Sequence, residues 1–367
     1  MADQPASRAD SPAAKPRVVV YYRRARTFDE TDPKERTLRA DPYWVSLADP
    51  AQIVGRIGHE TVGSEYVFPL RYRLAGCETT VLAGSTLNVE KRFRKTRFGL
   101  DLPELRWQHS PSKIAVGAGL SQMALPVHQL LDYHAFELPR YIALWKSRAV
   151  VETKVGGVLG RLLAHLADCA LALLAWRLRR RVRRGLKGVS FRTVRASDAE
   201  GLRQAAQLLA ENARPCQEIH DFAWLRWQLR NGFSRQGEAR LTLAFRGDRP
   251  VGLYLVRRRF YETASHRGFK NLWLTSVLDW QVVAGEEPIE RFLLARAALE
   301  ARADSDAAEV TTDDAALGAA FRSFGWRRVG AGNFVIKAGE GADPAIAAAL
   351  GDRANWRLRP AMGDNGF

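Results

Sequence analysis

The residues best suited to chemistry lie between Ser85 and Arg106, where a predicted strand runs into a strongly basic loop. Five of the seven residues from Lys91 to Arg97 are basic. Gly99 follows, and the apolar and polar residues from Leu100 to Leu105 predict a helix. At the start of a helix, free backbone N–H groups and the positive end of the helix dipole attract anions. This order of elements predicts a site for phosphate groups, although a solvated surface loop can have the same composition.

The same loop also resembles a known motif. Residues Arg94–Gly99, RKTRFG, resemble the Arg/Gln-x-x-Gly-x-Gly/Ala motif of the GNAT superfamily of acyltransferases, with Arg97 in place of the first glycine. In that family the motif lies between the fourth strand and the next helix and holds the pyrophosphate of acyl-coenzyme A. The resemblance implies acetyl-coenzyme A or another acyl-coenzyme A as co-substrate, and no metal. It implies coenzyme contacts from Leu87, Asn88, Val89, Arg92, Arg94, Lys95, Thr96, Arg97, Phe98 and Gly99.

The segments around the loop follow the order of elements in that family. Trp44–Ser46 and Gln52–Ile57 resemble its second and third strands, Lys113–Val116 its fifth strand, and Ser121–His134 the helix after it. In the family, a tyrosine near the end of this helix protonates the leaving thiolate. Leu131 occupies that place, and Tyr133 and His134 are the nearest groups able to donate a proton. The resemblance therefore implies an acid that is either displaced, with Tyr133 as the candidate, or absent. The structural alternative is a tyrosine packed at a helix end.

The second half of the chain repeats this order of elements. The predicted elements are a strand at Val189–Arg195, helices at Ala199–Leu209 and Phe222–Leu229, a hairpin within 241–256, a strand at Asn271–Trp280, a helix at Glu290–Ala303, a strand at Ala308–Thr312 and a helix at Ala315–Phe324. Glu286 and Glu287 lie where a pyrophosphate would bind, and their carboxylates would repel it. We therefore expect this half to keep the fold without binding the coenzyme. Asp279, like Glu60 and Glu65, is a candidate general base, although such carboxylates more often form caps or ion pairs.

These patterns predict an α/β (α+β) protein with two GNAT-like domains. Each domain is expected to be a mixed, mainly antiparallel twisted sheet flanked by helices, and the length of 367 residues suits two such domains. The predicted division is a disordered tail at 1–16, a domain with the coenzyme loop at 17–150, an apolar and basic helical linker at 151–188, a second domain without a phosphate loop at 189–340, and a C-terminal tail at 341–367. The two domains are called the first half and the second half below.

Composition limits the function classes. The formal charge of +16 indicates an anionic partner. Three scattered cysteines indicate neither a disulfide framework nor a zinc site, and they suit a reducing cytoplasm. The polar first sixteen residues do not resemble a signal peptide. Nucleic acid is the less favoured anion, because the basic clusters lack the interleaved aromatic residues that bind single strands.

The linker combines an apolar body with a cationic end. Val158–Trp176 is rich in leucine and alanine, and seven of the eleven residues in Arg177–Lys187 are basic. Residues 158–187 could lie against an anionic membrane, or they could form an interdomain helix packed on both domains. Arg161 and Asp168 within the apolar run favour the interdomain helix.

The resemblance as a whole implies an acyl-coenzyme-A-dependent N-acyltransferase. It would transfer an acyl group, expected to be acetyl, to an amine on a small molecule or sugar. Leu225-Arg226-Trp227 resembles a segment of acyltransferase-like proteins found with envelope polysaccharide genes, which implies envelope polysaccharide or lipid metabolism. The expected location is the cytoplasm, including the inner membrane face. The alternatives are a non-catalytic binding or scaffold protein and a binder of anionic membranes or nucleic acid.

Overall fold

Strands and helices form most of the chain that the computed structural model describes, which comprises residues 18–24, 51–57, 59–94, 96–120, 124–148, 150–151, 155, 157–211, 213–230, 237–261 and 271–360. The strands are β1 Val19–Arg24, β2 Ala51–Ile57, β3 Glu60–Leu74, β4 Cys77–Val89, β5 Ile114–Ala118, β6 His134–Leu144, β7 Ser190–Val194, β8 Gln217–Glu218, β9 Gly237–Arg246, β10 Arg249–Tyr261, β11 Leu272–Val282, β12 Ala307–Thr311 and β13 Arg327–Ala338. The helices are α1 Phe98–His109, α2 Leu125–Gln129, α3 Gly157–Gly185, α4 Ala199–Glu211, α5 Phe222–Leu229, α6 Glu287–Ala301, α7 Ala315–Ser323 and α8 Pro344–Leu350.

The strands join into one sheet whose two edges mirror each other. The order is β1-β2-β3-β4-β5-β13-β6-β12-β11-β10-β9-β7, and the short β8 pairs with β3. Strands β1 to β6 of the first half therefore match β7, β9, β10, β11, β12 and β13 in turn. The predicted α/β class, with mixed and mainly antiparallel pairing, is confirmed, and the two expected sheets form a single one.

The last strand of each half is exchanged with the other half. β13 lies between β5 and β6, and β6 lies between β13 and β12. Each exchanged strand closes the sheet of its neighbour with antiparallel hydrogen bonds. The boundaries at 150 and 189 remain predictions, and they separate halves that share one hydrogen-bonded sheet.

Most elements predicted for the second half are confirmed to within a few residues. Asp198 precedes α4 and accepts a hydrogen bond from the Gly201 amide at 2.8 Å, which caps the helix. Helices α4, α5 and α6 cover the sheet, and β11 is consequently buried on both faces.

The helix predicted at Ser121–His134 is wrong in extent. In the described part of this segment, α2 begins with Pro126 in its first turn and ends at Gln129. Asp132 then adopts a left-handed φ of 57°, which ends helical structure and lets β6 begin at His134. The predicted strand at Trp44–Ser46 lies outside the described residues.

Candidate functional site

Each half contains a parallel strand pair whose pairing stops before the longer strand ends. In the first half, β4 and β5 pair only from Leu82–Ala115 to Gly84–Gly117, although β4 continues to Val89. The pairing of β3 with β4 shifts register between Ser64 and Tyr66, and such a bulge bends and twists the strand. We call the region beyond Gly84 and Gly117, where this pairing stops, the first-half cleft. In the second half, the pairing of β11 with β12 likewise stops at Val277 and Val310, although β11 continues to Val282, and we call the region beyond this pair the second-half cleft.

The basic loop connects β4 to α1 beside the first-half cleft. Arg92 forms ion pairs with Glu60 at 2.7 Å and with Glu90 at 2.8 Å. Arg94 Nε donates to the Val89 carbonyl at 2.8 Å, which ties the loop to the end of its strand. Arg97 is more exposed than Arg92, with 82% of its side chain accessible against 54%.

Arg97 adopts ordinary helical backbone at the start of α1. Its φ is −54°, so an arginine in place of the family's glycine carries no backbone strain. Its guanidinium lies 3.4 Å from Asp101 and 4.0 Å from Glu104, along the exposed side of the helix. Exposed ion pairs of this kind contribute little free energy, about 0–1 kcal/mol, so the guanidinium can exchange them for another anion.

The other predicted coenzyme contacts differ in their burial. Phe98 is buried, and Leu87 packs in the same cluster. A Cβ on Gly55 would lie 2.1 Å from the Phe98 ring, so the ring fills the space that this glycine leaves. Gly99 is also buried, and its amide donates to the Thr96 carbonyl at 3.3 Å. Asn88 is exposed, the Thr96 hydroxyl bonds to the Phe93 carbonyl, and Lys95 lies outside the described residues.

A buried ion pair lies at the inner end of the first-half cleft. Arg106 on α1 donates to Glu65 on β3 at 2.8 Å, and both side chains are almost fully buried. The pair packs on Gly84, where a Cβ would lie 1.7 Å from the guanidinium. Burial raises the pKa of Glu65, and Arg106 only partly offsets this. Glu65, one of the candidate bases, is thus a carboxylate with an upward-shifted pKa beside the cleft.

Tyr133 lies next to this ion pair. The Arg106 guanidinium lies over the Tyr133 ring at 5.4 Å from its centroid, and the Tyr133 hydroxyl donates to the Pro103 carbonyl at 2.9 Å. Burial raises the pKa of Tyr133, so the phenol keeps its proton at neutral pH. Nearby, burial and then Arg106 lower the pKa of His128 to about 3, which keeps that imidazole neutral.

A second buried charged cluster surrounds Asp279, two residues beyond the last paired residue of β11. The Asp279 carboxylate lies 2.6 Å from His220 Nδ1 and 3.0 Å from an Arg357 guanidinium nitrogen. His220 Nε2 lies 3.4 Å from Glu218 on its other side. Burial opposes ionisation of Asp279, but Arg357, His220 and Arg359 outweigh it and hold the pKa of Asp279 well below its usual range. Asp279 and His220 therefore form a buried ion pair.

The C-terminal segment crosses the second-half cleft. Arg353 pairs with Asp313, just beyond β12, and Arg357 bonds to the side chain of Asp279 and to the carbonyl of Trp280 on β11. Trp356, between these arginines, is buried in the first-half core. The segment thus contacts β11 and the loop that follows β12, and a cavity of about 220 Å³ remains beside the cluster. The described part of the predicted C-terminal tail, up to residue 360, is docked across both halves.

The second-half counterpart of the basic loop carries acidic groups. Glu286 binds Arg246 through both carboxylate oxygens, at 3.0 and 2.8 Å. Glu287 accepts from the Gly285 amide at 3.0 Å, at the start of α6. The positive end of this helix is therefore already faced by its own carboxylates.

Sequence reasoning found Asp279, Tyr133 and Glu65 but not their partners. Arg106, His220 and Arg357 lie 41, 59 and 78 residues from the side chains that they bind. The one local signal was a charged residue within an apolar run, as at Glu65 between Val62 and Leu70. Such a residue must find a buried partner, but its spacing does not say which.

Comparison with solved structures identifies the class of fold. A GCN5-related N-acetyltransferase from Anabaena variabilis superposes with a TM-score of 0.51 at 10% identity, covering 87% of this chain and 73% of that one. An N-myristoyltransferase from Saccharomyces cerevisiae with bound myristoyl-CoA gives 0.52 at 10% identity, covering 96% and 87%. The same enzyme with myristoyl-CoA and inhibitors gives 0.53 at 11%, covering 96% and 89%. The chain therefore has a GNAT-type fold.

Comparison at the level of sequence adds nothing to this. No protein-family model matches the chain, and no curated protein matches it. The structurally similar proteins share only about 10% of their sequence with this chain. The likeness therefore establishes the fold, and the activity has to be argued from the site.

Proposed function

We propose that the protein is an acyl-coenzyme-A-dependent N-acyltransferase that binds the coenzyme in its first half. The observation that carries this proposal is the first-half cleft, where the pairing of β4 with β5 stops beside a basic loop that leads into a helix. The GNAT-type fold supports the same proposal.

The residues of the basic loop suit a phosphate group. Arg97 holds only exposed ion pairs, and Arg92 pairs with exposed carboxylates. Both guanidiniums can turn to a pyrophosphate, which offers a stronger charge-assisted hydrogen bond than a solvated carboxylate. Buried Phe98 anchors the loop near the cleft. Binding of an anion by its cations therefore costs little further conformational entropy.

The two clefts differ in what occupies them. The second-half cleft is crossed by the segment that carries Arg357, and its helix start is faced by Glu286 and Glu287. We propose that this half stabilises the shared sheet and closes the acceptor side, and that it does not bind the coenzyme.

Acyl transfer to an amine needs a route for the amine proton and an acid for the leaving thiolate. An acyl-coenzyme A supplies the activated thioester. We propose Tyr133 as the acid, since its raised pKa keeps the phenol protonated. Glu65 is the candidate base nearest to Tyr133, and Asp279 is the predicted base in the other cluster. Tyr133 would have to release the Pro103 carbonyl to act.

Isothermal titration of acetyl-coenzyme A and of myristoyl-coenzyme A tests the proposal. We expect one of them to bind, and Arg97→Ala to weaken that binding by about tenfold, which corresponds to about 1.4 kcal/mol for one exposed charged hydrogen bond. Arg203→Ala is the matched control, because Arg203 forms a similar exposed pair with Glu200 on α4. Absence of binding by both coenzymes, or equal loss in the two variants, would reject the coenzyme site.

The finer proposal is acetyl transfer to an amine on a small molecule or sugar, in envelope polysaccharide or lipid metabolism. Its support is the resemblance of the motif and of Leu225-Arg226-Trp227. Release of free coenzyme thiol in the presence of a panel of amino sugars tests it. Absence of thiol release above the protein-free rate with every amine would instead favour a non-catalytic binding protein.

A further inference from the structure

Helix α3 carries an unusually apolar exposed surface. Of the large hydrophobic side chains that are exposed in the described chain, eight lie on this one helix: Val158, Leu159, Leu162, Leu163, Leu166, Leu173, Leu174 and Trp176. Leu162, Leu166 and Leu173 are 56%, 58% and 50% exposed. A contiguous patch of this kind marks a surface that binds something.

The exposed apolar residues lie opposite the face that holds the helix to the protein. The buried residues of α3 form a stripe along its length: Gly160, Ala164, Ala175, Leu178 and Val182. Ser147 fixes the helix near its start, through its amide to Asp168 and its hydroxyl to the Ala164 carbonyl. Arg181 fixes it near its end, by donating to the Ser323 carbonyl. The interdomain packing expected from the sequence therefore occupies one face and leaves the other free.

Arg161 and Asp168 do not interrupt the exposed apolar face. Successive residues of a helix are rotated by about 100°, so both side chains lie toward the edge of the buried stripe. No Lys, Arg, Asp or Glu interrupts the apolar face from Val158 to Trp176, about 28 Å at a rise of 1.5 Å per residue, and the exposed His165 lies at its edge.

The same face becomes cationic as the helix continues. Arg177, Arg180 and Arg184 follow Leu166 and Leu173 at spacings of three, four and seven residues, which keeps all five on one side. All three arginines are exposed. An apolar strip that leads into a row of guanidiniums matches the boundary between lipid chains and anionic headgroups.

We propose that α3 lies in the interface of an anionic lipid bilayer, with its apolar face among the acyl chains and its arginines on the headgroups. By length and composition this helix could also cross a membrane. Its buried stripe decides against crossing, because Ala164, Ala175 and Leu178 are packed on the protein near both ends of the apolar run. A helix held along its length can present one face to a membrane but cannot leave the protein to span it. This inference does not depend on the proposed acyltransferase activity.

Co-sedimentation of the full chain with vesicles tests this membrane surface. We expect binding to phosphatidylcholine vesicles that contain phosphatidylserine to be roughly tenfold or more tighter than to phosphatidylcholine alone, and to weaken with salt. Leu166→Glu should abolish it. Leu130→Glu is the matched control, because Leu130 is 74% exposed elsewhere and should leave binding unchanged.

A second pair of variants tests the cationic part of α3. The triple change of Arg177, Arg180 and Arg184 to Gln should remove the preference for phosphatidylserine. A control triple change of the exposed Arg195, Arg249 and Arg327 to Gln lowers the net charge equally and should retain that preference.

Three outcomes would overturn the proposal. The first is no binding to phosphatidylserine vesicles at moderate salt. The second is equal loss of binding in test and control variants, which would indicate attraction by net charge alone. The third is self-association that Leu166→Glu disrupts, without vesicle binding, which would assign the face to a second copy of the chain.

Discussion

The pH dependence of stability should reveal the charge state of the cluster around His220. The His220 ring stacks on Trp224 at a centroid distance of 3.8 Å and lies between the carboxylates of Glu218 and Asp279. Burial by itself would lower the pKa of His220, but the two carboxylates outweigh it and raise the pKa from 6.5 to about 9. We predict that His220→Gln destabilises the protein by an amount that changes with pH.

The magnitude follows from the linkage between protonation and folding. Raising the pKa of His220 from 6.5 to about 9 stabilises the protonated folded protein by about 3 kcal/mol, because one pKa unit equals about 1.4 kcal/mol. Since the folded pKa is raised, this contribution is complete below pH 6.5 and is lost as the pH rises through about 9. The difference in unfolding free energy between the native protein and His220→Gln should therefore fall by about 3 kcal/mol across that range.

Urea unfolding of both proteins at a series of pH values measures this difference. His128→Gln is the control, because the pKa of His128 is lowered to about 3 and this histidine is neutral throughout the same range. The difference in unfolding free energy between the native protein and His128→Gln should be constant above pH 6.5 and should shrink as the pH falls below that value. A difference for His220→Gln that is flat, or that grows with pH, would show that the folded protein does not hold an imidazolium between two carboxylates.

The remaining predictions concern the two buried ion clusters. Asp279→Asn leaves the His220 cation without its closest anion, so urea unfolding should show a loss of roughly 3–5 kcal/mol. Acyl transfer per folded molecule then decides the role of Asp279: a loss beyond about a hundredfold supports a catalytic base, and an unchanged rate removes it. Gly84→Ala places a methyl group 1.7 Å from the Arg106 guanidinium, so thermal and urea unfolding should show a cost of about 1–3 kcal/mol. Gly332→Ala, which meets nothing within 4 Å, should cost less, and equal costs would contradict the packing argument.

Much of the fold could be predicted because its signals are local. Strands β7 and β11 and helix α4 depend on residues close together in the chain, and these elements are present as expected. The helix expected over 121–134 was wrong because a single left-handed residue, Asp132, ends it. A left-handed conformation at a non-glycine residue depends on its surroundings, so the residue pattern did not reveal it.

The sequence by itself determined the class of fold, the basic loop before Gly99 and the apolar, cationic helix α3. Each of these follows from residue type and short spacing, which the chain displays directly. Only the tertiary structure decided the exchange of β6 and β13, the pairing of Glu65 with Arg106, and the closure of the second-half cleft by Arg357. These features join residues far apart in sequence, and their free energies depend on burial, which exists only once the two halves have packed.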